Sequence, residues 1–232
     1  GKSLPCFLAN VGIGVGVAVG ANAAGLNLPI PSFDYGKRGG SAAGTWLGNT
    51  LQGRPVHVPT GAKIVPFEDD ALLPGPLPFV WSRFYSSMDG RTGILGQGWV
   101  TPASLELVFE DGLLHFIGFQ GRDLAYEDLA PGDKRYIVAE GFQIARSLGG
   151  HYYVSYPADG LIYAFGPRPT LQDGERLRLH QCNDLHDNTH EYLYSDDGLL
   201  RRISTSAGQH LHLHYGNPGG DGTRLVRLEQ QI

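Results

Sequence analysis

Three times along this chain the same phrase returns: an apolar run, a short polar interval ending in Asp-Gly, then Leu and a second apolar run. It occupies residues 105–117 around Asp111-Gly112, residues 152–165 around Asp159-Gly160, and residues 191–203 around Asp197-Gly198. Alternating apolar and polar residues favour strands, and Asp and especially Gly tolerate the positive φ that tight hairpins need, so each phrase predicts two antiparallel strands and a turn. Asp111-Gly112 in particular suits a type I′ turn. Tyr194 and Tyr215 stand 21 residues apart, and residues 209–216 again alternate at period two. A unit this short cannot bury its apolar face alone; it must stack on neighbours. The expectation is therefore an all-β chain built from repeated hairpins.

Composition fits that expectation. The 34 glycines and 15 prolines supply turns for many short strands, and 11 tyrosines supply cross-strand packing. Charged residues make up only 18%, the formal net charge is −5, and the basic residues are scattered, so nothing resembles a nucleic-acid footprint. Cys6 and Cys182 are too few for a disulfide framework, which fits folding in a reducing compartment.

Four segments follow in order. Residues 1–30 contain an uncharged run, 7–28, long enough at ~1.5 Å per residue to span a bilayer but interrupted by glycine and asparagine. Three readings compete for it: a signal peptide, since Lys2 precedes the run and Ala21-Asn22-Ala23 imitates a cleavage site; a membrane-prone segment masked by a chaperone; and a plug threaded into the protein's own interior. Residues 31–58, rich in Pro, Gly and Ser, read as a linker with Trp46 and Leu47 as its anchor. Residues 59–179 form a β-rich head region, and residues 180–232 hold the first full repeats.

The head contains the most distinctive stretch, residues 73–87. Pro74, Pro76 and Pro78 forbid helix and remove backbone donors, which predicts an extended edge over 73–78 leading into a strand over 79–85. That strand carries Trp81, Arg83 and Tyr85, and a glycine-punctuated turn through Gly98 ends at Trp99.

Residues 73–87, the turn at 93–99 and the preceding residues 55–63 resemble the head segment of Rhs/YD-repeat proteins. Residues 194–200 resemble the YD repeat itself, with Tyr194 at its tyrosine and Gly198-Leu199 at its turn. The resemblance covers about residues 53–232. It singles out Pro74, Pro76, Trp81, Arg83, Tyr85, Gly98, Trp99, Tyr194 and Gly198, all in structural roles. It implies a bacterial polymorphic toxin carrier used in interbacterial competition and delivered by a type VI secretion system, in which repeats coil into a hollow shell around a toxic C-terminal domain. The fold class it implies is all-β: repetitive β-hairpins forming the start of a large coiled β-sheet shell, a cocoon, behind an N-terminal Gly-rich apolar segment. The implied partners are downstream YD repeats and the C-terminal toxin domain of the same polypeptide, a VgrG/PAAR spike, and a chaperone for the N-terminal segment. No cofactor and no nucleic acid are implied. The resemblance also places the protein in the bacterial cytoplasm before secretion, then outside or in a target cell. No PAAR domain, aspartyl autocleavage motif or toxin domain is recognisable here. With Gly as first residue and a strand-like run at the end, the chain reads as a fragment, and no catalytic residue is assigned.

Other constellations were weighed against simpler readings. His210, His212 and His214 share one face of a strand, as metal-ligating His-x-His pairs do; His180, His186 and His190 lie nearby. Leu211 and Leu213 take the other face and no Cys or carboxylate stands at ligand spacing, so the run reads as a half-buried strand and the three histidines are secondary candidates only. Glu68-Asp69-Asp70 offers paired carboxylates for self-cleavage, but adjacent residues on an extended segment face opposite ways, so a solvated acidic turn is the simpler reading. There is no Gly-x-Ser-x-Gly elbow, P-loop or His-Glu-x-x-His. Trp46, Trp81 and Trp99 suggest a carbohydrate-stacking surface as the leading non-shell alternative, against their use as core and cross-strand pairs.

Overall fold

The computed structural model describes residues 51–52, 56–57 and 62–232, except 119–120, 169–171, 218 and 221. The expected plug or membrane-prone segment, Cys6 and Trp46 lie outside the described residues. Regular structure among them is mostly strand, with a 3-10 turn at Pro102–Ser104. No helix there is long and apolar enough to cross a membrane.

The head contributes β1 (Leu51–Gln52), β2 (Val56–His57), β3 (Ala62–Leu73), β4 (Phe79–Ser86), β5 (Thr92–Gly93), β6 (Gly96–Gln97) and β7 (Trp99–Val100). Strands β1, β2, β3, β4 and β7 pair in that order into a five-stranded sheet, and β5 pairs with β6 as a small ribbon. The rest of the chain supplies β8 (Glu106–Glu110), β9 (Leu113–Ile117), β10 (Asp123–Glu127), β11 (Lys134–Ile137), β12 (Phe142–Arg146), β13 (Tyr152–Tyr156), β14 (Leu161–Phe165), β15 (Glu175–Asn183), β16 (Thr189–Tyr194), β17 (Leu200–Thr205), β18 (His210–Gly216) and β19 (Arg224–Gln231). These form one open twelve-stranded sheet. Each strand from β11 to β19 pairs antiparallel with the next, and the first residues of β15 also carry the β8–β9–β10 meander.

Hairpin chemistry explains the topology. Glu110 pairs with Leu113, leaving Asp111 (φ 53°) and Gly112 (φ 77°) as a two-residue type I′ turn, as expected. The other two Asp-Gly phrases make longer turns: 157–160 lie between the paired Tyr156 and Leu161, and 195–199 between Tyr194 and Leu200. There only Gly160 and Gly198 have positive φ, so the same two letters serve a different turn once the loop lengthens.

Two expectations are corrected. The proline stretch is a loop: Leu73 pairs with Phe79 as the last rung of the β3–β4 hairpin, and 74–78 cross between them. Prolines cannot donate to a ladder, so the chain turns where an edge had been expected. Glu68-Asp69-Asp70 lies within β3, not in a turn; β3 carries two extra residues against β4, between Val65 and Glu68 and between Asp69 and Ala71. The 31–58 linker meets β1 and β2 at its end. Residues 179 and 180 both lie within β15.

The head lies on the large sheet. Leu73, Phe79 and Trp81, each at most 1% exposed, share one core with Phe116, Phe142, Tyr152, Phe165, Leu179, Tyr192 and Leu200. Burying such side chains contributes on the order of 2 kcal/mol each. Strands β13 and β14 are buried on both faces, with Tyr153, Ile162 and Ala164 clustering on the reverse side.

Candidate functional site

Across six successive strands, β14 to β19, one row of residues alternates aromatic and leucine: Phe165, Leu179, Tyr194, Leu200, Tyr215, Leu225. Phe165 is paired with Leu179, Tyr194 with Leu200, and Tyr215 with Leu225. The tyrosines link these rungs. The Tyr194 hydroxyl donates to the Leu179 carbonyl at 2.9 Å, and the Tyr215 hydroxyl to the Leu200 carbonyl at 2.8 Å. Burial raises the pKa of both phenols, Tyr215 to about 12, so both stay protonated as donors.

A register shift accompanies every rung, immediately before Phe165, Tyr194 and Tyr215. In each case the following strand holds the extra residue: His180, Arg201 and Val226, each directly after a ladder leucine. One extra residue bends and twists a strand. Three bulges in line therefore bend and twist the sheet locally at regular intervals.

Arginines cover the tyrosines. The Arg178 guanidinium lies 5.5 Å from the centre of the Tyr194 ring and donates to the Gly198 carbonyl; Arg201 lies 5.2 Å from Tyr215 and pairs with Asp197 at 2.7 Å. Such stacking contributes about 0.5–1 kcal/mol at partly exposed sites. Gly198 has a φ of +79°, which favours glycine, and a Cβ there would stand 2.5 Å from Arg178 Nη1 and push that guanidinium aside.

The head is clamped to this ladder from above. His190, 4% exposed on β16, is edge-on to Phe79 at 5.2 Å, and its Nε2–H donates to the Leu77 carbonyl in the proline loop at 3.0 Å. Burial lowers the pKa of His190, which favours the neutral ring. Gln230 on β19 donates to the Leu72 carbonyl at 2.9 Å, and the Leu225 amide to the Ile94 carbonyl at 2.8 Å. Pro74 and Pro76 thus stiffen a loop held down by the repeats.

Of the residues singled out from sequence, Arg83, Tyr85, Gly98 and Trp99 come together. The Tyr85 and Trp99 rings pack at 5.1 Å, tilted by 50°, Arg83 lies 5.6 Å from the Trp99 ring centre, and its Nε is 2.6 Å from Asp70. Gly98 lies so close to them that a Cβ would meet the Ser86 carbonyl at 2.6 Å. Trp81 instead joins the core. Trp81, fully buried, and Trp99, packed against Tyr85, do not form a shared open platform for a sugar.

His210, His212 and His214 do alternate with buried Leu211 and Leu213, but each ring has its own partner: Ser204 Oγ at 3.0 Å, Gln231 Oε1 at 3.2 Å and Glu229 Oε2 at 2.9 Å. Among the described residues no group of three or more His, Cys, Asp or Glu is placed to hold a metal. Sequence reasoning missed Leu179, Leu200 and Arg178. The signal was there, because Leu179 and Leu200 repeat at the same 21-residue interval as Tyr194 and Tyr215.

Comparison with known proteins matches residues 53–126 to a family described as "Domain of unknown function (DUF6531)". The chain is 39% identical over 167 residues to the Double-stranded DNA deaminase toxin A of Burkholderia cenocepacia, a match covering 71% of this chain and 12% of that protein. It is 30% identical over 199 residues to the Toxin protein Tse5 of Pseudomonas aeruginosa, covering 75% and 15%, and 27% identical over 201 residues to the Probable deoxyribonuclease RhsB of Dickeya dadantii, covering 76% and 13%. The matches thus span a small part, 12–15%, of these relatives' lengths.

Proposed function

Because this chain belongs to the Rhs/YD-repeat polymorphic toxin family, we propose that it is the capped beginning of a curved β-wall that encloses a toxin domain and helps deliver it. The observation that carries this reading is the bulged ladder. A flat sheet would need a bulge nowhere, whereas this one places a bulge beside each of three aromatic rungs, in the one direction that extends the wall. The head serves as a cap: its Leu73, Phe79 and Trp81 cover the apolar face of the first rungs, and its proline loop is pinned by His190.

On this reading the chain has a mechanical role and performs no chemistry itself. Its partners are further repeats of the same polypeptide, a C-terminal toxin domain, and, for delivery, a type VI spike and a chaperone for the N-terminal segment. The toxin acts after delivery outside the producing cell. The test is limited proteolysis of the full-length polypeptide that carries the chain. Protection of a C-terminal domain in the intact protein, lost on Trp81→Ala or Tyr194→Phe/Tyr215→Phe substitution, supports enclosure by this wall. A C-terminal domain cut equally fast in the intact protein and as an isolated domain contradicts it.

A further inference from the structure

A cleft of about 440 Å³ opens at the seam between the head and the repeats. Its lining is apolar at Ile94, Leu105 and Leu200, and cationic at Arg91, Arg176 and Arg178, with the carboxylates of Asp89 and Glu106 beside them. Its size falls within the roughly 300–1,000 Å³ of small-molecule sites, which combine an apolar body with a few polar groups.

The charges do not cancel. Asp89 is consumed by Arg91, whose Nε and Nη2 donate to its two oxygens at 2.8 Å each. Glu106 accepts from Arg176 Nη1 at 2.8 Å. Arg178 forms no direct ion pair among the described residues, with Glu106 acting on it only at longer range, and it is held in place by the Tyr194 ring and the Gly198 carbonyl. A positioned guanidinium is also suited to planar anions, which it grips with paired N–H donors.

We propose that this cleft binds a small organic anion, a carboxylate carried on an apolar body, with the anionic group on Arg178 and the apolar part on Ile94, Leu105 and Leu200. Neither the site nor its ligand class depends on whether the wall encloses a toxin, so failure of the proteolysis test would leave this proposal standing.

The experiment is a calorimetric titration of the full-length polypeptide with hexanoate and, separately, with its neutral counterpart hexanamide. Saturable hexanoate binding is expected, without hexanamide binding, and weakened at least about tenfold in Arg178→Gln, the loss expected on removing a hydrogen bond to a charged group. Since Arg178 also supports Tyr194, a second variant is needed that leaves the ladder alone. Thr223 is an exposed lining residue, and Thr223→Glu brings a competing carboxylate into the cleft; the same loss is expected there. Absence of saturable hexanoate binding, equal binding of hexanamide, or wild-type affinity in Thr223→Glu would each overturn the proposal.

Discussion

Tyr194 and Tyr215 do more than fill space, because each phenol hydroxyl supplies a carbonyl on the neighbouring strand with a donor next to a bulged residue, His180 or Arg201. Tyr194→Phe keeps the ring and removes only that bond, so a loss of about 1 kcal/mol is expected in chemical denaturation, with Tyr215→Phe similar. The glycines permit a sharper comparison. Gly112 and Gly198 have nearly equal φ, 77° and 79°, but a Cβ at Gly112 meets nothing within 4 Å whereas one at Gly198 meets Arg178. Gly112→Ala should cost only the left-handed backbone penalty of about 1–2 kcal/mol; Gly198→Ala should cost more and displace Arg178 from Tyr194, visible as a larger drop in melting temperature. His190 sets a pH dependence. Burial lowers its pKa and that of His180, so below pH 6.5, the ordinary histidine value, the unfolded chain takes up protons that the folded chain resists. Stability from these rings is complete above pH 6.5 and lost as pH falls below it; Glu106, whose pKa burial raises, works in the opposite direction. Thermal melts between pH 8 and 5 should therefore fall on the acid side, and His190→Gln should flatten that fall; an unchanged slope would remove His190 from the account.

At the scale of elements, the division of labour lies between bulged strands, which curve the sheet, and the β3–β4 hairpin, which covers it. Trp81→Ala empties a fully buried site and should cost about 3–5 kcal/mol. Because Trp81 joins the head to the repeats, protease cleavage in the 74–78 loop should accelerate along with that loss. Much of this element structure was legible in the sequence. The alternation of 191–194 and 209–216, the Asp111-Gly112 hairpin and the two faces of the histidine strand all follow from period two and turn chemistry, which act locally. The proline loop was misread because alternate prolines exclude helix and central strand but do not distinguish an edge from a turn; that choice is made by the Leu73–Phe79 pairing. The ladder was half legible. The 21-residue interval between tyrosines is visible, but the leucine each one reaches depends on cross-strand register, and a bulge shifts register by a residue that no local pattern announces. Arg178 and the seam cleft were invisible for the same reason, since the cleft joins residues from Asp89 to Thr223.

For the whole molecule, the open twelve-stranded sheet, the repeated bulges and the head folded back onto β16 and β19 fit a wall begun and capped at one end. Such a wall has β19 as an edge strand, and paired edges are what a β-protein needs to avoid aggregation. The account predicts that a further repeat strand covers this edge. The most direct measurement is single-particle imaging of the full-length protein. A closed hollow particle is predicted, with the 73–87 head seated at one end and a separate mass inside. A solid or open particle, with its C-terminal domain outside the β-structure, would contradict the container reading.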